Sequence, residues 1–222
     1  MKAAVAQVAL YNEIDANVIS ISHYISQASK EDIDILCFPE CAITGYVRDF
    51  TTVNQSEVQE TLTMIQKQVT HSGVNVIVGA PYFERKKRFN SAVVLLTNGR
   101  KYLYHKINLT SFDEAYFKKG KEPLIFRVGD ATFGVLICRD QNDSMLAHDY
   151  KTLGADAVFI LSAHFYEPVE AIGKLNKNRA LPIARAVENN LWALHLTLLY
   201  ENCNPIKSSM SSHGVTPQNT KK

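Results

Sequence analysis

Leu124-Ile125-Phe126-Arg127-Val128-Gly129-Asp130-Ala131-Thr132-Phe133-Gly134-Val135-Leu136-Ile137-Cys138 is the stretch on which the fold turns. Two β-like runs, 124–128 and 132–137, flank the turn dipeptide Gly129-Asp130, so they are expected to pair as an antiparallel hairpin. Beyond Cys138 the pattern predicts a helix over 144–153 and a strand over 157–161. A strand, a helix and a strand in that order call for parallel pairing through a crossover. One neighbourhood therefore demands both kinds of ladder. The expected class is an α/β domain with mixed sheets.

The same alternation runs upstream. Residues 3–10 form a short apolar strand candidate. Ile14, Val18, Ile21, Ile25 and Ala28 then recur at helical steps, with Asn12 near the start. Residues 33–38 make a second strand, ended by Pro39. Val58, Leu62, Ile65 and Val69 repeat the helical stepping, with Ser56 and Gln59 in a capping-box pattern and Gly73 at the expected stop. A third strand covers 74–80, and strands over 92–96 and 102–105 flank Asn98-Gly99, a strong hairpin signal. Downstream, a helix is expected through 175–187 and a last strand over 191–199. Pro182 either kinks that helix or marks its first turn.

Composition narrows the function. The 222 residues are 46% hydrophobic and 21% charged, and 24 basic against 22 acidic side chains leave a net charge of +2. That balance gives no electrostatic footprint for nucleic acid or an anionic membrane surface. The basic run Arg85-Lys86-Lys87-Arg88 lies between strand patterns and reads as a solvated turn. No stretch approaches the ~20 apolar residues of a membrane span, and the first ten residues read as a strand rather than an export signal. Cys37, Cys41, Cys138 and Cys203 form no Cys-x-x-Cys pair or disulfide framework, so reduced thiols in a cytoplasmic setting are expected. The seven histidines make no metal pattern and no glycine-rich phosphate loop occurs, so no metal or nucleotide cofactor is implied. The chain is read as one domain over 1–222, with an irregular tail over 200–222.

Three residues stand at strand ends. Cys138 fits two roles: a small hydrophobe inside the strand, or a nucleophile at a strand-to-helix turn where backbone N–H groups can hold an oxyanion. The polar run Arg139-Asp140-Gln141-Asn142-Asp143 moves it toward the strand end and leaves both open. Glu40 follows Ile35-Leu36-Cys37-Phe38-Pro39, and Lys106 follows Tyr102-Leu103-Tyr104-His105. In open α/β sheets, ligands bind at the carboxyl ends of strands. A carboxylate, an ammonium and a thiol converging there would supply a base, an electrophilic stabiliser and a nucleophile.

At these residues the sequence resembles the nitrilase superfamily of carbon–nitrogen hydrolases. The resemblance runs in order over roughly 1–190: Phe38-Pro39-Glu40-Cys41-Ala42-Ile43-Thr44-Gly45-Tyr46, Val76-Ile77-Val78-Gly79-Ala80-Pro81, Phe89-Asn90-Ser91-Ala92, His105-Lys106-Ile107-Asn108-Leu109, Gly134-Val135-Leu136-Ile137-Cys138-Arg139-Asp140, Gly154-Ala155-Asp156 and Arg185-Ala186-Val187-Glu188-Asn189. Each segment alone is weak, but the ordered set is specific. The resemblance implies a four-layer αββα sandwich, paired through its helical faces into a homodimer or larger homo-oligomer. It implies that Glu40 is the general base and acid and that Cys138 is the nucleophile. Lys106 and the Arg139 backbone N–H would hold the oxyanion. Glu114, eight residues after Lys106, stands where the family places a second glutamate that orients the lysine and the substrate. The implied reaction is hydrolysis of a small linear amide or carbamoyl compound through a thioester. Nitrile hydrolysis on the same residues, or a non-catalytic binding member, are the alternatives. Tyr46, Ala163 and His164 follow strand ends near the expected cleft and are candidates for its lining or for surface positions. After Cys138 the Pro-Glu pair of many members is missing, and the chain is shorter at its carboxyl end than the family pattern.

Overall fold

The computed structural model describes residues 1–164 and 168–197. The first sheet holds β1 (Ala3–Val5), β2 (Ile35–Cys37), β3 (Asn75–Glu84), β4 (Lys87–Leu95) and β5 (Lys101–His105), in that spatial order. β1, β2 and β3 are parallel, while β4 is antiparallel to both its neighbours. β5 therefore runs in the same direction as β2, and Glu40 and Lys106 leave the sheet at the same edge. The second sheet holds β6 (Ile125–Val128), β7 (Ala131–Ile137), β8 (Ala157–Ser162) and β9 (Trp192–Thr197). Its β6–β7 pair is the expected hairpin, and β7, β8 and β9 are parallel.

Side-chain alternation along the strands builds the layers. Ile35, Cys37, Ile77, Ala92 and Val94 of the first sheet meet Phe133, Val135, Ile137, Phe159 and Leu161 of the second in one buried cluster. The intervening residues face outward. Leu36, Val76, Val78, Val93 and Leu95 pack under α1 (Ile14–Lys30) and α2 (Gln55–Ser72), through Ile21, Ile25, Leu62, Ile65 and Val69. Leu136, Val158, Ile160 and Ala193 pack under α4 (Ser144–Thr152) and α5 (Pro168–Asn189), through Leu146, Tyr150 and Ala186. Strands covered on both faces explain the near-continuous apolar runs in the sequence. Each fully buried Leu, Ile or Phe in these layers contributes about 1.5–3 kcal/mol relative to exposure. The result is the four-layer αββα sandwich with mixed sheets.

Local differences from the sequence reading have physical causes. The cap of α2 is Asn54, whose side chain accepts from the Ser56 and Glu57 N–H groups, not a Ser56–Gln59 box. Gly73 ends that helix in the left-handed region, at φ 76°. Arg85 and Lys86 turn the β3–β4 hairpin with φ of 45° and 65°, their side chains in solvent. α5 begins at Pro168 and runs through Pro182, so Pro182 is interior and not in the first turn. Proline suits a helix's first position because it lacks the N–H that would go unbonded there. The short helix α3 (Ser111–Tyr116) was not expected. The expected tail over 200–222 lies outside the described residues. Among the described residues no helix is long and apolar enough to cross a membrane.

Candidate active site

Glu40 is fixed by a close approach between strands. Phe38 N–H extends the ladder to Ile77 C=O, and Ile43 N–H reaches Gly79 C=O. The backbone between them turns over Gly79, passing through Cys41 at φ 52°. A Cβ on residue 79 would collide with Pro39 O, Cys41 N and Glu40 Cα, so only glycine lets the Glu40 turn sit this low on β3. Lys106 is held just past β5, where its N–H donates to Asn90 C=O and its own C=O accepts from Gly120 N–H, both at 2.8 Å. Cys138 follows β7 directly and opens the short 3₁₀ turn Cys138–Asn142 with φ 47°. A positive φ at a non-glycine residue is strained, and such strain is typical of functional turns.

The side chains converge into one buried network. Lys106 Nζ donates to Glu40 Oε1 at 2.7 Å and to Asp113 Oδ2 at 2.8 Å, with all three side chains at most 1% exposed. Asn90 Nδ2 donates to Glu40 Oε1 at 2.8 Å and, more weakly, to Asp113 Oδ1 at 3.5 Å. Tyr46 Oη donates to Asp113 Oδ1 at 2.7 Å. Thr110 N–H and Oγ1–H both donate to Asp113 Oδ2. The Ala163 N–H, just past β8, donates to Glu40 Oε2 at 2.9 Å and also helps lower the Cys138 thiol's pKa. One backbone donor thus acts on both the carboxylate and the sulfur.

Burial sets the protonation states. It pushes Glu40 above the usual carboxylate range, and Asp113 adds to the rise while Lys106 and Asn90 oppose it. Burial also opposes the charge on Lys106, but Glu40, Cys138 and Asp113 together outweigh it, so the ammonium is held well above its ordinary value. Burial would raise Asp113, yet Lys106, Thr110 and Tyr46 hold it low. Burial and the Glu40 charge push the Cys138 thiol up to about 12, against Lys106 and the Ala163 N–H. The resting sulfur is therefore a thiol beside a base, not a free thiolate.

Glu40 and Lys106 are in direct contact, and the charges of both act on the Cys138 thiol. Glu114 does not join them. Its carboxylate is 55% exposed and pairs with Lys119 at 3.6 Å, while its neighbour Asp113 carries the contact to Lys106. The reason is helical geometry. Thr110 caps α3 in a reciprocal box with Asp113, which turns Asp113 inward and Glu114 outward. The Thr110-x-x-Asp113 spacing was the available signal. Asn90 also belongs to the network, although its sequence segment gave no hint of its contacts. Arg139 follows Cys138 inside the 3₁₀ turn with its side chain exposed. Tyr46 and Ala163 touch the carboxylates. The half-buried His164 lies to one side, its ring 5.6 Å from that of His195.

The chain is similar to several known proteins. Residues 2–211 match the Carbon-nitrogen hydrolase family. A nitrilase of Pyrococcus abyssi is 30% identical over 190 residues, covering 82% of this chain and 68% of its own length. A glutamine-dependent NAD(+) synthetase of Acinetobacter baylyi is 28% identical over 75% of this chain, and this chain spans only 32% of that longer protein. The amidase of Nesterenkonia sp. AN1 superposes with a TM-score of 0.78 at 21% identity, covering 89% of this chain and 76% of its own. A family match over nearly the whole chain, a nitrilase at 30% identity covered to 68% of its length and a fold shared with a solved amidase lead to one conclusion: the chain belongs to the nitrilase superfamily of carbon–nitrogen hydrolases.

Proposed function

We propose that the protein hydrolyses a non-peptide carbon–nitrogen bond in a small linear amide or carbamoyl compound through a thioester on Cys138. The observation that carries this reading is the buried Lys106–Glu40 pair at 2.7 Å, with Cys138 held at φ 47° in the turn that ends β7 and its thiol under the charges of both. Glu40 takes the thiol proton as sulfur attacks the carbonyl carbon, and the Lys106 ammonium and the Arg139 N–H stabilise the oxyanion. The protonated Glu40 gives that proton to the leaving ammonia or amine as the carbon–nitrogen bond breaks. Glu40 next takes a proton from water, hydroxide adds to the thioester, and the carbon–sulfur bond breaks. The acid leaves, and Glu40 returns its proton to the sulfur to restore the thiol.

A carboxylate raised by burial is a better base for this work than an ordinary one. Measuring ammonia release across small amides, ω-amides and carbamoyl compounds tests the reading, with Cys138→Ala as its control. Turnover that survives in that variant would overturn it. The 30% identity to the Pyrococcus abyssi nitrilase favours a second reading, nitrile hydrolysis by the same residues, so acid release from aliphatic nitriles belongs in the same screen.

We also propose that two copies pair through the α4–α5 face. Met145 of α4 and Ile183 and Val187 of α5 are exposed large hydrophobics on these two helices, and Trp192 at the start of β9 is exposed as well.

A further inference from the structure

We infer that Asp140 is a positioning residue that sets the Cys138 thiol against the Lys106 ammonium across the two sheets. Its carboxylate is fully buried and takes four hydrogen bonds from two separate places. Oδ1 accepts from the Ile107 and Asn108 N–H groups at 3.2 and 2.7 Å. Oδ2 accepts from Tyr104 Oη at 2.7 Å and from Ile137 N–H at 3.0 Å. Tyr104, Ile107 and Asn108 bracket Lys106 on the first sheet, and Ile137 immediately precedes Cys138 on the second. One anion therefore ties the lysine segment to the turn that carries the nucleophile. Burial raises this carboxyl to about 6, while three of its donors pull the other way, so the clamp is charged at neutral pH.

The clamp also holds a strained geometry. Cys138 sits at φ 47° between Ile137 and Asp140, and the Ile137 N–H to Asp140 bond closes the turn around it. From the other side, Arg185 Nε donates to Gln141 C=O at 2.9 Å, and Asn108 Nδ2 reaches Asp143 Oδ2 at 3.4 Å. An asparagine at 140 would keep one acceptor oxygen and turn an NH₂ group toward donors. At least one pair of bonds would be lost and the turn would relax. A displacement near 1 Å at a reacting group can cost roughly 100-fold in rate.

The inference rests on Cys138 being the nucleophile, and the experiment separates the two. Wild type, Asp140→Asn, Val69→Ala and Cys138→Ala are compared for hydrolysis of the best amide from the screen, iodoacetamide alkylation of residue 138 at pH 7 and thermal melting. Val69 is fully buried between α2 and the first sheet, in a cluster that holds none of Tyr104, Ile107, Ile137 or Cys138, so Val69→Ala controls for stability loss. Asp140→Asn is expected to lower kcat by about 100-fold. KM should stay within about threefold and alkylation should slow about tenfold, while Val69→Ala lowers the melting temperature with kcat and alkylation within about twofold. Wild-type kcat in Asp140→Asn, or equal losses of kcat in both variants, would overturn the inference. If Asp140→Asn does not fold, Asp140→Glu carries the test, because it keeps the charge but displaces it by one methylene. A slow, folded Asp140→Glu supports the clamp, and wild-type turnover there overturns it. Persistent hydrolysis in Cys138→Ala would instead remove the nucleophile reading beneath it.

Discussion

Lys106 Nζ lies 2.7 Å from Glu40 Oε1 although 66 residues separate them in the chain, and both side chains are almost completely buried. Removing one partner of a buried ion pair leaves an uncompensated charge and costs about 3–5 kcal/mol. The two partners are not equivalent here. Lys106→Met strands both Glu40 and Asp113, whereas Glu40→Gln leaves Lys106 paired with Asp113. Urea unfolding should show Lys106→Met as the more destabilised protein. Both variants should lose about 100-fold or more in turnover.

Asp113 and Glu114 are adjacent in sequence and opposite in role. Asp113→Asn removes a charge from Lys106 and is expected to cut turnover at least tenfold. Glu114→Gln breaks only an exposed contact, worth about 0–1 kcal/mol, and should leave kcat and stability near wild type. The prediction fails if steady-state kinetics rank the two the other way.

Gly79 supports Glu40 from below. A methyl group there meets the Glu40 backbone rather than a movable side-chain end. Overpacking of this kind costs about 1–3 kcal/mol. Gly79→Ala should therefore lose both stability and turnover, and alkylation of Cys138 should slow because its base is displaced.

His164 and His195 give stability a pH dependence. Burial holds His164 at about 3, helped by His195 and Lys106, and holds His195 at about 4. Unfolded imidazoles titrate near 6.5, so the unfolded chain binds protons that the folded chain refuses. Stability is full above about 6.5 and falls as pH drops toward 4. Denaturant unfolding between pH 7 and 4 should show this loss, and His195→Gln should flatten it. An unchanged slope in that variant would assign the acid sensitivity elsewhere.

The exposed α4–α5 face predicts an oligomer. Val187 is 69% exposed on α5, one helical turn from Ile183. Val187→Asp places a charge where two copies would meet, so sedimentation should show a smaller species than wild type at equal concentration. If the wild type is itself monomeric at micromolar concentration, the pairing is wrong.

Much of the architecture is local physics, which is why it is legible in the chain. Asn98-Gly99 and Gly129-Asp130 set two hairpins, and helical stepping at Ile21, Ile25, Leu62 and Ile65 marks two outer helices. Strand ends announce Glu40, Lys106 and Cys138 because apolar runs stop there. Pro182 shows the limit of local rules. It suggested a kink or a helix start, yet packing of α5 on the second sheet carries the helix through it.

The sequence by itself determined the mixed-sheet class, the order of the family segments and the three residues at the strand ends. Only the tertiary structure decided which carboxylate reaches Lys106, which backbone N–H binds Glu40 from the second sheet, and that Asp140 binds the two sheets together. The reason is range. Periodicity and turn chemistry act over a few residues, whereas these contacts join segments brought together by two sheets packing face to face. In that buried space a one-residue difference, Asp113 against Glu114, decides whether a charge is paired inside or left in water.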